Sequence, residues 1–132
     1  PAVQAASRRN GALDGQAVAV SLLGLGGREY EMTLAIDVAA KAVVLPAAMK
    51  VALGFEGAEL LDGVAVTGAG KVRAEVGQLP AVRVGGIAAE NVEVAFVADD
   101  AMGGRAVVGE SVLQHFNVTY DEDAAQVILR PR

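Results

Sequence analysis

The chain has no cysteine and no tryptophan, and aromatic residues make up only 4% of its 132 positions. Without cysteine there is no disulfide, no thiolate metal site and no cysteine nucleophile, and the redox compartment is left open. With so few large rings, a core has to be assembled from Val, Leu, Ile and Ala, with Phe55, Phe96 and Phe116 as its few bulky pieces. No Lys/Arg run exists, and 11 basic against 16 acidic residues give a formal net charge of −5. A nucleic-acid footprint has no support in that balance. Uninterrupted apolar stretches stay short of the roughly 18 to 20 residues that span a bilayer, so no membrane span is expected within the chain. One histidine, His115, cannot build a histidine cluster for a metal, and no metal or cofactor is expected.

Apolar residues nevertheless reach 53%, enough for one real core in one domain. Sixteen glycines argue for many tight turns, hence hairpins rather than long helices. Residues 1–14 show no periodicity and read as a flexible lead-in, and residues 15–132 read as the domain. If the lead-in links to an upstream segment, it would place the domain in the periplasm or on a membrane anchor; the compartment is otherwise open.

Strands are expected at Gln16 to Leu23 and Glu29 to Ile36, the latter alternating through Tyr30, Met32, Leu34 and Ile36, with the glycines at 24, 26 and 27 turning between them. Ala42 to Leu45 reads as a short buried strand. Pro46 is expected to open a helix, Ala47 to Leu53, that Gly54 closes. Leu60 to Thr67 and Lys71 to Leu79 form a second hairpin, and two glycines in three residues predict a freely moving tip. Ala81 to Val84 and Val92 to Val97 follow around Gly85-Gly86, and Asp99 to Gly104 is a polar loop. Ala106 to Val108, a helical turn from Glu110 to Phe116, and a closing hairpin of Val118 to Tyr120 with Gln126 to Leu129 complete the chain. Two stretches echo each other faintly, Glu29 to Leu53 and Glu93 to Phe116, each running strand, loop, very short strand, short helix.

The segment with most chemistry is Leu34-Ala35-Ile36-Asp37-Val38-Ala39-Ala40-Lys41, followed by Val43-Val44-Leu45-Pro46. A carboxylate at the end of an apolar strand is either a turn residue satisfied by local N–H groups or a working acid. Val107-Val108-Gly109-Glu110-Ser111-Val112-Leu113-Gln114-His115-Phe116 is the second such segment. Together with the closing hairpin, this ordered set resembles the retropepsin-like aspartic protease family, in a bacterial single-domain form, with its Asp-Thr-Gly motif degenerate. The resemblance runs from about Gln16 to Arg130. It matches Asp37 to the catalytic Asp, Val38 to the Thr/Ser, Ala39 to the Gly and Ala40 to the Ala of the active-site loop, and Thr67, Gly68, Ala69 and Gly70 to the flap.

The resemblance implies an all-β, closed, barrel-like subunit with one or two short helices. It also implies a homodimer in which one Asp per subunit activates water to cleave an extended peptide. Val38 lacks the hydroxyl that grips across the dimer axis, and Ala39 adds a methyl where the family has none. Activity is therefore expected to be weak or lost, and the alternative is a non-catalytic peptide-binding or dimerisation module. Other motifs carry less. Gly68-Ala69-Gly70-Lys71 has Ala65 and Val72 where a phosphate loop needs Gly and Ser/Thr. Ser111 and His115 lie too close in sequence to imply a triad. Asp99 and Asp100 read as turn-solvating acids.

Overall fold

In the computed structural model, residues 3–7, 16–57, 60–68, 70–101, 106–121 and 126–132 are described. Among these residues ten strands and two single-turn helices follow one another as β1 (Val3–Ser7), β2 (Gln16–Leu23), β3 (Glu29–Ile36), β4 (Val43–Pro46), α1 (Met49–Ala52), β5 (Leu61–Thr67), β6 (Gly70–Val84), β7 (Ile87–Val97), β8 (Val107–Val108), α2 (Glu110–Leu113), β9 (Phe116–Asp121) and β10 (Gln126–Pro131). Strands are observed where the apolar runs were read, several of them longer than expected (β7 begins at Ile87 and not Val92, and β9 at Phe116, expected in the helical turn), and the fold is all-β as expected.

Six of the strands close into a hydrogen-bonded ring in the order β2, β3, β8, β4, β7, β6, because β6 returns to pair with β2. Two hairpins hang from this ring. The β5 strand extends it beyond β6, while β1 carries the β9–β10 hairpin beyond β2. Inside lies a cluster of Leu, Val and Ile with the three phenylalanines, each buried. Phe55 and Phe96 meet there as a tilted pair with centroids 5.1 Å apart.

The faint internal echo is structural. The β3–β4–α1 and β7–β8–α2 units interlock, with β4 parallel to β7 and β3 parallel to β8, and β4 antiparallel to β8 at the centre. A strand buried by neighbours on both sides reads as continuous Val and Leu, which is why β4 and β8 lack alternation.

Three local expectations change. Residues 3–7, expected within an unstructured lead-in, form β1, which pairs with β10 at Val3 to Ala5 and with β2 at Ala6 and Ser7. Main-chain bonds to two neighbours hold a strand that shows no side-chain alternation. Arg8 and Arg9 lie outside the described residues. Pro46 ends β4, pairing with Val97, instead of opening α1. The break expected near Pro80 is not a strand end: β6 runs on to Val84, its ladder to β7 passing from Leu79–Val92 to Ala81–Glu90. Pro80 lacks the N–H a ladder would use, and Asn91 opposite takes a positive φ of 53°, so the irregularity is absorbed by a local distortion.

Candidate active site

Asp37 immediately follows β3, where the strand is held on both faces. Leu34 and Ile36 point into the main core, while Ala35 packs in a second, alanine-rich cluster with Ala40, Ala42, Ala65, Ala74 and Ala95. Small side chains in that cluster let the 37–42 loop and β5 come close together. The loop is pinned by its own backbone: Asp37 N–H donates to the Val108 carbonyl (3.1 Å) and Ala40 N–H to the Asp37 carbonyl (3.1 Å). The start of α2 docks on the same loop, with Glu110 N–H donating to the Ala40 carbonyl (2.9 Å) and Ser111 N–H to that of Lys41 (2.8 Å). Gly109 makes this docking feasible. A Cβ there would lie 2.5 Å from the Ala40 oxygen and 2.6 Å from that of Ala42, inside any real contact distance.

The carboxylate of Asp37 is half-buried and held at both ends. Ala39 N–H donates to Oδ1 at 2.9 Å, and Gly68 N–H, 31 residues away at the β5–β6 tip, donates to Oδ2 at 2.7 Å. A main-chain N–H on each oxygen fixes the plane of the group while leaving further lone pairs able to accept. The turn-residue reading of Asp37 accounts for Ala39, but Gly68 is no part of its turn. Among the described residues Ala39 takes no positive φ and is exposed, so its methyl imposes no backbone strain and its N–H serves the carboxylate. Ala40 is buried beneath the loop.

Val38, within this pinned loop, is 60% exposed. It borders an open groove of mixed lining, with Leu113, Phe116 and Val118 beside Glu110, Gln114 and Arg132. At the hairpin tip, Thr67 is buried and donates from Oγ1 to the Gly70 carbonyl (3.2 Å). The tip expected to move freely is thus docked onto Asp37 through Gly68. Ala69 lies outside the described residues.

The minor candidates separate from this site. Ser111 Oγ donates to the Glu93 carbonyl at 3.2 Å, and His115 is exposed at the end of α2, so the two form no pair. Asp99 has a structural task the sequence did not announce: its Oδ1 accepts from Ala48 N–H at 2.9 Å, at the start of α1. Among the described residues no group of three or more His, Asp or Glu could hold a metal ion, and no helix is long and apolar enough to cross a membrane.

Comparison with solved structures finds a retropepsin-like aspartic protease from Rickettsia conorii, with a TM-score of 0.70 at 20% identity, covering 98% of this chain and 89% of that one. Likeness at that identity speaks for the fold. A search of curated proteins gives no match. The aspartyl protease family model matches residues 18–113, which takes in the Asp37 loop, the β5–β6 tip and α2. With nearly three quarters of its length under that match, the chain belongs to the aspartyl protease family and has its retropepsin-like fold.

Proposed function

We propose that the chain is a retropepsin-like aspartic endopeptidase that works as a homodimer, with one Asp37 from each subunit and with activity held low by its altered loop. The observation that carries this reading is the Asp37 carboxylate, fixed by a backbone N–H on each oxygen at the end of β3 and facing a hairpin tip. One chain supplies one such acid. A second copy, related by a two-fold axis, supplies the other through the same surface.

Two carboxylates at close range share one proton, because both cannot stay charged. The ionised Asp37 takes a proton from a water, and that water attacks the carbonyl carbon of the scissile peptide. The protonated Asp37 of the partner donates to the carbonyl oxygen as it gains charge. Collapse of the tetrahedral species breaks the C–N bond: the nitrogen takes the proton that the first Asp37 received from water, one hydroxyl of the tetrahedral carbon returns a proton to the partner's Asp37, and an amine and a carboxylic acid leave. The exposed Val38 supports the placement of the second copy, since an apolar side chain open to solvent directly follows the acid that needs a partner. There Val38 makes an apolar contact in place of hydroxyl hydrogen bonds, which holds the two loops with less directional precision. Catalysis is sensitive to misplacement on the scale of 1 Å, so the rate suffers.

A second reading is a non-catalytic module that binds peptides or dimerises, favoured by the missing hydroxyl at Val38. Incubation with an unfolded protein across acidic pH, with and without a transition-state-mimicking inhibitor, separates the two. The peptidase reading expects slow cleavage that the inhibitor stops and that Asp37→Asn lacks. A dimer that cleaves nothing supports the module.

A further inference from the structure

The groove beside Val38 is lined by one acid and one base, Glu110 and Arg132. Glu110 opens α2, its N–H fixed on the Ala40 carbonyl, and it shares a helix face with Leu113 three residues on. Arg132 lies just past the other end of α2. Its N–H donates to the His115 carbonyl at 3.1 Å, and its Nε to the Phe116 carbonyl at 3.0 Å. The second bond fixes the guanidinium head and leaves both Nη groups as donors. Both residues are exposed. Among the described residues the ion pairs are Lys50–Glu75 and Arg83–Glu29, so neither Glu110 nor Arg132 has an ionic partner there.

We propose that this groove takes a second copy of the chain, with Glu110 paired to Arg132 of the partner subunit and Arg132 to the partner's Glu110. The inference rests on the homodimer reading and adds the charges that set the partner's direction. An axis that brings two Asp37 residues together passes close to Val38, the next residue, and Val38 borders the groove. A two-fold axis crossing α2 reverses it, so the start of one α2 faces the end of the other. Acid then meets base twice. A guanidinium with both Nη groups free offers two parallel donors, which fits the two oxygens of a carboxylate. Val38 and Val118, both exposed in the single chain, are covered in the same step. The formal charge of −5 on each chain opposes association at long range, and two attractive pairs at contact offset that repulsion locally.

Sedimentation equilibrium on the full chain tests the pairing with two charge reversals. Glu110→Arg and Arg132→Glu each set like charges face to face twice, and each is expected to weaken the dimer about 10- to 100-fold. Glu110→Arg brings the net charge of −5 nearer zero, while Arg132→Glu takes it further away. A general charge effect would move the two variants in opposite directions; the ion pair moves both the same way. Mixed in equal amounts, the two variants match charges only across a heterodimer, which should form about as tightly as the wild-type dimer. An ion pair within one chain would give no such rescue. If a reversal variant does not fold by circular dichroism, Glu110→Gln and Arg132→Gln take its place. Each is expected to weaken the dimer several-fold and to flatten its dependence on salt, and unchanged values overturn the pairing. A wild-type dimer unaffected by the reversals, or a mixture no tighter than its components, overturns the pairing and leaves the homodimer standing. A wild-type chain that stays monomeric overturns the homodimer itself, and this inference with it.

Discussion

Asp37, Val38 and Ala39 divide the work of the loop in a way that residue types alone did not separate. Asp37 and Ala39 retain their geometry, one carboxylate and one N–H 2.9 Å apart. Val38 has lost the hydroxyl and stands exposed. Repair should therefore come mainly from Val38: Val38→Thr with Ala39→Gly should raise the rate of unfolded-protein cleavage, with most of the gain already present in Val38→Thr alone. Each restored hydrogen bond contributes on the order of 0.5 to 1.5 kcal/mol. Asp37→Asn should abolish cleavage in either background, because an amide cannot act as general base; full activity in Asp37→Asn contradicts the mechanism. Gly109 gives a prediction about stability. The Cβ of Gly109→Ala would strike two backbone oxygens, and chemical denaturation should show a loss of about 1 to 3 kcal/mol, the usual cost of overpacking.

At the scale of elements, the legible parts were those whose signal is local. The β2 and β3 strands have the bounds that their apolar runs imply, and the glycine-rich turn between them follows from the same reading. What stayed hidden depends on partners distant in the chain. Nothing in Val3-Gln4-Ala5-Ala6-Ser7 alternates, so β1 exists through its pairing with β10 and β2. The candidate site shows the same division: Asp37 was found from its strand and loop, but its contact with Gly68 is a tertiary bond that no spacing encodes. Asp99 reads as a turn acid and instead satisfies Ala48 N–H across 51 residues, tying the β7 loop to the start of α1. Asp99→Ala should then cost about 1 kcal/mol, the scale of a lost helix cap, measured as a lower denaturation midpoint. The Lys50–Glu75 ion pair, which ties α1 to β6, is too exposed on the Glu75 side to compensate much.

For the molecule as a whole, the interlocked β3–β4–α1 and β7–β8–α2 units carry one Asp37 per chain, and the proposed site needs two chains. Sedimentation should show a dimer in the micromolar range or tighter, an order-of-magnitude expectation for a specific interface. Val38→Asp should shift it to monomer, since two buried, unpaired charges at a two-fold axis are costly. A wild-type dimer unaffected by Val38→Asp would place the interface elsewhere. The central claim, that each working site draws one Asp37 from each of two chains, is tested most directly by mixing. Chains carrying Val38→Thr and Ala39→Gly are combined, at fixed total concentration above the dimer dissociation constant, with the same chains carrying Asp37→Asn, and cleavage is followed as the active fraction is varied. Activity proportional to the square of the active fraction is the result this account predicts; activity that falls in simple proportion, or none at all from an intact dimer, would contradict it.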